Sequence, residues 1–229
     1  MDKYTYLLIS AMLAAIWLAI IFARNDLKKR IIKASIAGGF VGVIVEFWYY
    51  QDYWRPPTVF NTAIISVEDF LFGFFITGIV VSIFDAIFTE SRVLNEKRRV
   101  KFFGCLFLIA LTNFAIFSTL LGFNSIIVST ISFIVFTVII LILRKDLFIP
   151  AIMSGILTLA VITPIYAVLF NVISPNFWNQ YWLLANTKLG LTVLGNIPVT
   201  ELVWYFLWGC FGGVAYDFAG GYTKISKFK

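Results

Sequence analysis

Four carboxylates stand in stretches otherwise fit for the inside of a membrane: Glu46, Glu68, Asp69 and Glu201. Glu68 and Asp69 open one oily run as adjacent residues of "SVEDFLF" (66–72). Glu201 opens another in "PVTELVW" (198–204), and Glu46 closes "KASIAGGFVGVIVE" (33–46). An ionised carboxylate at the bilayer centre costs roughly 2.5–3.5 kcal/mol even on a lenient insertion scale, so an acid there is protonated, paired or functional. A helix N-terminus, with its free N–H groups and its dipole, favours an acid. Helix capping alone would account for Glu68, Asp69 and Glu201. It does not account for Glu46, which falls near the C-terminal end of its run, where the dipole disfavours an anion. Nor does it account for the aromatics at helical spacing. Trp204, Tyr205 and Trp208 follow Glu201 at i+3, i+4 and i+7; Phe72 follows Asp69 at i+3; Tyr49 and Tyr50 follow Glu46 at i+3 and i+4. Such a stripe is ordinarily packing or lipid contact; its convergence with acids from three runs points further. A desolvated carboxyl keeps its proton at neutral pH and can donate it. A second can accept one later, and aromatic faces stabilise a passing carbocation. These are the parts needed to cyclise a polyene.

Other chemistries are excluded by composition. With no histidine, the chain lacks the usual ligands and bases of zinc catalysis, haem ligation and Ser-His triads. Cys105 and Cys210 lie in apolar runs without ligand spacing and are expected to be packed thiols. "GGFVG" (38–42) and "GCFGG" (209–213) carry Gly-xxx-Gly without a preceding strand, so they read as close helix approach, not nucleotide loops. No metal or cofactor is expected. The last apolar run has no lysine to hold a retinal.

The elements that must position these groups follow from the bulk of the chain. Of 229 residues, 61% are apolar and 13% charged, and the mean hydropathy is +0.93. That composition describes an integral membrane protein, so the lipid bilayer is its expected partner. Seven apolar runs are long enough to span as helices: 4–23, 31–50, 64–88, 102–121, 125–143, 147–172 and 198–218. The first is not a cleaved signal, because its cationic cluster follows it. The intervals 24–33, 92–101, 144–145 and 224–229 hold 15 of the 18 basic residues; Lys3, Arg55 and Lys188 lie on the other side. The positive-inside rule then puts the N-terminus outside and the C-terminus in the cytoplasm, the expected setting being a prokaryotic plasma membrane. The net charge of +6 reads as topology, not nucleic-acid binding. The outer segments "YYQDYWRPP" (49–57) and "PNFWNQYW" (175–182) read as an interfacial aromatic belt. Pro164 is expected to kink its helix.

The chain also repeats itself. "RNDL" (24–27) returns as "RKDL" (144–147), and Asp85 follows Asp69 at the spacing by which Asp217 follows Glu201. Both copies run in the same sense, as a parallel repeat does. The fold class is therefore all-α integral membrane, a single polytopic domain over 1–229. Repeat one covers 4–88, a linking span 102–121 and repeat two 125–218. Asp85 and Asp217 are expected at cytoplasmic helix ends near water and lysines, and Asp26 and Asp146 as charge balance.

The segments "RNDLKKRIIKASIAGGFVGVIVEFWYYQDYWRPP" (24–57) and "IISVEDFLFGFF" (64–75) resemble one repeat of the lycopene cyclase domain family of bacteria, archaea and fungi. In that family Glu46 takes the place of a late acid and Trp54 that of a loop tryptophan. Ser66-Val67-Glu68-Asp69 and Pro198-Val199-Thr200-Glu201 take the places of two Pro-x-Glu-Glu-like motifs. The resemblance covers the first three runs well and the last three more loosely. The first motif lacks its proline, the second has Thr200 for an acid, and the repeat equivalent of Glu46 is Tyr166. It implies cofactor-independent closure of the ends of lycopene to β-rings, without net redox change. Glu68, Asp69 and Glu201 would be acid and base, Glu46 a supporting carboxyl. Trp54, Phe72, Trp204, Tyr205 and Trp208 would meet the apolar polyene or other lipid substrate. Homo-oligomerisation stays open. A non-catalytic carotenoid- or lipid-binding protein of the same fold is the alternative. A proton-coupled transporter fits less well, because no acid falls in the middle of a run. The repeat predicts that Glu46, Asp69 and Glu201 face one interior cavity, two of them within about 10 Å; side chains that only cap their own helices would remove the acid–base reading.

Overall fold

A computed structural model describes residues 2–62 and 64–226; the basic residues Lys227 and Lys229 lie outside the described residues. The apolar runs are helices: α1 Thr5–Ala23, α2 Lys28–Asp52, α3 Val67–Phe88, α4 Val100–Asn113, α5 Ser125–Leu143, α6 Phe148–Val168 and α8 Val199–Gly220, with a short α7, Phe177–Tyr181, before the last. π-helical turns extend α4 over Phe114–Leu120 and α6 over Leu169–Ile173. Pro164 lies inside α6, which continues beyond it to Val168. Strands among the described residues form two short antiparallel pairs, β1 Thr89–Leu94 with β4 Tyr222–Ser226, and β2 Thr192–Val193 with β3 Ile197–Pro198. Among the described residues the fold is built of helices, with no closed sheet, and six helical segments are long and apolar enough to cross a membrane. α8 has the 22 residues of α3, but Glu201, Asp217, its glycines and its Trp and Tyr rings dilute its apolarity, and it is not one of the six.

Each "RxDL" is a tight 3-10 turn between two helices. Asp26 accepts from Arg24 Nε at 2.9 Å and from Nη2 at 2.8 Å. Asp146 holds Arg144 in the same fork, at 2.7 and 2.5 Å. The fixed guanidinium then reaches across to bind backbone carbonyls. Arg24 takes Asp85 O and Ala86 O at the end of α3, and Arg144 takes Tyr222 O, just past α8, at 3.0 Å. The two aspartates thus orient arginines, a more specific task than charge balance.

Helix contacts are set by missing side chains. A Cβ on Gly42 would lie 2.8 Å from Asp69 O and 3.3 Å from Gly73 Cα, so α2 and α3 touch backbone to backbone. A Cβ on Gly209 would lie 2.7 Å from Gly155 Cα and 2.6 Å from Thr158 Oγ1, and α6 and α8 meet likewise. Both glycine motifs therefore act as close-approach sites, as expected. Cys210 packs against Gly155. Cys105, expected to be packed, is exposed, because α4 buries little of its surface.

Two expectations about the ends of the bundle are corrected. Asp85 and Asp217, placed near water by the sequence, are 0% exposed. Asp85 pairs with Arg30 and, at 2.7 Å, with Lys224, and takes the Thr89 hydroxyl at 2.7 Å. Asp217 pairs with Lys224 at 2.9 Å and with Arg30 and Arg92 at 3.4 Å. Strands β1 and β4 close over the cluster, and Arg92 faces Lys224 across them. At the other end, the supposed aromatic belt is largely core. Tyr53, Trp54, Trp178 and Trp182 are buried, because their segments fold over the bundle and pair with each other. Trp54 and Trp182 form a bridge, flanked by Arg55 N–H to Tyr181 O at 2.8 Å and Leu183 N–H to Tyr53 O at 2.9 Å.

Candidate active site

Beneath those paired segments lies a cavity of about 770 Å³ lined mostly by apolar side chains. Glu46, Asp69 and Glu201, from α2, α3 and α8, all line it and are buried. Trp54, Phe72, Trp204, Tyr205 and Trp208 line it as well. The three helices, with Trp54 just past the end of α2, thus bring together eight of the nine residues singled out in the sequence. Glu68 is the exception. It is turned from Asp69 by about 100° around the helix and does not line the cavity. Glu68 Oε1 instead accepts the Val59 N–H at 2.7 Å and ties down the segment ahead of α3.

Each cavity carboxyl has a different set of partners. Asp69 does cap its helix: Oδ2 accepts Ser66 N–H at 2.8 Å, while the Ser66 hydroxyl accepts Asp69 N–H at 3.1 Å. Its other oxygen takes the Tyr6 hydroxyl at 2.9 Å, so capping is only half of its bonding. Glu201 caps nothing. Its Oε1 accepts the Tyr53 hydroxyl at 2.6 Å and its Oε2 the Tyr166 hydroxyl at 3.0 Å. Because Tyr166 spends its only proton on Glu201, Tyr205, 2.6 Å away, must donate to Tyr166. Thr200, which stands where the resemblance expects an acid, shares the Tyr53 hydroxyl at 3.1 Å. Glu46 is the least satisfied. Oε2 has one long contact from Trp54 Nε1 at 3.4 Å, and Oε1 is buried without a partner. A buried carboxyl oxygen without a protein partner is unusual enough to need a reason.

Aromatic rings connect the three. Tyr6 meets Trp54 edge-on, centroids 4.8 Å apart, and lies 5.9 Å from Phe72, which reaches Tyr205 at 6.4 Å. Trp204 and Trp208 continue along α8, the former donating to the Tyr49 hydroxyl at 3.0 Å. Sequence reasoning missed Tyr6, Tyr53 and Tyr166 as carboxyl partners. Tyr166 carried a signal, since it is the repeat equivalent of Glu46. Tyr53 was hidden in the apparent belt, and Tyr6 is a lone phenol with no periodic companion.

The chemistry open to this arrangement is proton donation at one carboxyl, proton acceptance at another, and cation stabilisation between them. A search of curated proteins and of solved structures found no match to the chain. A family model described as lycopene cyclase matches residues 124–219, from the cap of α5 to the last turn of α8. That match supports placing the chain in the lycopene cyclase domain family.

Proposed function

We infer that the protein is a membrane-embedded carotenoid cyclase of the lycopene type, an isomerase that moves protons and needs no cofactor. The family match and the apolar helices support a membrane carotenoid cyclase in general. The observation that carries the finer reading is the convergence of three buried carboxyls from three helices on one apolar, aromatic-lined cavity. Hydrogen-bond accounting supports a division of roles among them. Both oxygens of Glu201 already accept phenol hydrogens, so Glu201 is the proton acceptor. The free oxygen of Glu46 carries the proton and offers it to the substrate. The terminal double bond of the polyene takes that proton, and the resulting cation is attacked by the next double bond to close the ring. The ring cation then loses a proton to Glu201, regenerating a double bond. The product is an isomer of the substrate, and nothing is oxidised or reduced. Asp69, held by Ser66 and Tyr6, lends negative charge to the passing cation, with the faces of Trp54, Phe72, Trp204 and Trp208.

The same reading takes α8 as a seventh span and the chain as two parallel three-helix units, α1–α3 and α5, α6 and α8. Reciprocal contacts support it. Arg92 and Lys224 stand at equal distances in sequence after Asp85 and Asp217, face each other across the strand pair, and each reaches the aspartate of the other unit. Gly38 meets Thr77 in the first unit, and Thr158 meets Gly209 in the second. The basic end then faces the cytoplasm and the carboxyls lie toward the outer face.

The test is expression in lycopene-accumulating cells, with pigments separated by chromatography. Cyclised ends are expected from the wild type and not from Glu201→Gln. Lycopene left unchanged by folded, inserted wild-type protein would overturn the cyclase reading; unchanged polyene bound to it would favour a carotenoid-binding protein instead.

A further inference from the structure

The cavity is much longer than the ring closure requires. Its lining runs along α2 from Lys33 to Glu46 and beyond to Tyr53, and along α8 from Glu201 to Ala219. At 1.5 Å per residue these stretches are about 30 and 27 Å long. The carboxyls occupy one end only. The arm leading away from them is lined by small residues, among them Ala34, Ala37, Gly104, Ala215 and Ala219. Small residues on membrane helices ordinarily let the helices close on each other. Here they border open space. A Cβ placed on Gly104 would meet nothing within 4 Å. The wall on that side is α4, the loosest of the apolar helices: 11% of its most apolar stretch is buried, against 56% for α3. One end thus carries an unpartnered buried carboxyl oxygen, on Glu46, and the rest is an apolar groove.

We propose that this arm is a binding groove for the non-reacting length of one extended polyene chain, and that Gly104 and Ala37 on its facing walls determine how long a chain it accepts. The proposal rests on the carotenoid cyclase reading for the identity of its occupant. An extended chain fits because the groove is long and its lining between the carboxyls and Lys33 is almost wholly apolar. Holding the remote chain also anchors the reacting end against the carboxyls, where orientation counts most.

The probes are lycopene and a half-length acyclic polyene with the same terminal isoprene units, bound to purified protein in nanodiscs and read by visible absorbance. Gly104→Phe and, separately, Ala37→Phe should weaken lycopene binding by about tenfold or more and leave the half-length polyene within about twofold of wild type. Ile109→Phe, on the face of α4 turned away from the cavity, should bind both as wild type does. Two variants on different helices guard against one that fails to fold, which gel filtration in detergent would reveal. Folded variants that bind both probes as wild type does, or lose both equally, overturn the groove. Wild-type protein that binds lycopene with this length dependence but never cyclises it leaves the groove standing and removes the chemistry. Cyclisation with no length dependence does the reverse.

Discussion

At Glu46 the orphaned Oε1 is the most informative atom in the protein. A buried oxygen without a partner raises the energy of the folded state, and native structures keep few of them. Its retention beside a cavity makes sense if a substrate supplies what is missing. Glu46→Gln keeps the size and the contact to Trp54 but cannot act as an acid, so turnover should fall by about a hundredfold or more. Polyene binding should survive, because the aromatic walls are unchanged. Glu68→Gln is the comparison, because Glu68 Oε2 is also buried without a partner but not at the cavity. Its oxygen toward Val59 N–H is preserved and it does not line the cavity, so cyclisation per folded protein should stay within about threefold of wild type. Pigment chromatography on both variants, normalised to folded protein, checks the pair. Equal losses would return Glu68 to the site and undo the assignment made from helix geometry. The sequence could not make this distinction. Two adjacent acids look alike until the helix is rotated into place, and that rotation is fixed by Gly42 and Gly73 on neighbouring helices.

The helices themselves were legible, because each is a long apolar run bounded by charge or by turn residues; the run 125–143 is α5 to the residue. Their mutual approach was legible too, through the glycines. What escaped was the fate of the segments between them. Tyr and Trp suit both a lipid–water interface and a protein core with a hydrogen-bond partner, so composition alone did not separate a belt from a plug. The family match adds a further contrast: it falls on residues 124–219, where the resemblance in the motifs was looser. The α6–α8 crossing offers a test at this scale. A valine at Gly209 would drive its Cβ to 2.6 Å from Thr158 Oγ1 and 2.7 Å from Gly155 Cα. The latter is backbone, so the helices must separate. Overpacking of this kind costs about 1–3 kcal/mol or more. Gly209→Val should therefore lower the thermal midpoint of the detergent-solubilised protein and reduce turnover, because α8 carries Glu201. A thermal midpoint equal to wild type would mean that the crossing tolerates bulk and does not set the position of Glu201.

Over the whole molecule, α3 and α8 each carry an acid at both ends, one lining the cavity and one in a buried ion cluster. Asp69 and Glu201 face the cavity; Asp85 and Asp217 are locked with Arg30, Arg92 and Lys224 at the opposite end. The lock is wholly buried at its acids, so its value lies in how completely the charges are matched. Arg30 and Lys224 each serve both aspartates, and the Arg30 guanidinium also rests on the Tyr216 ring, 4.9 Å from the centroid. Removing one carboxylate leaves Arg30, Arg92 and Lys224 to share the other. Breaking a buried pair from one side costs about 3–5 kcal/mol, enough to threaten a marginally stable fold. Asp217→Asn should accordingly lose much of its resistance to heat in detergent. Adding Arg30→Gln should restore part of it, because the cation then left without a full partner is gone. If the two ends of α8 have separate tasks, both variants should still cyclise polyene ends at close to the wild-type rate per folded molecule below their unfolding temperatures. A turnover loss in Asp217→Asn that persists after Arg30→Gln has recovered stability would show that the charge cluster reaches the cavity along α8, and the separation of assembly from chemistry would fail.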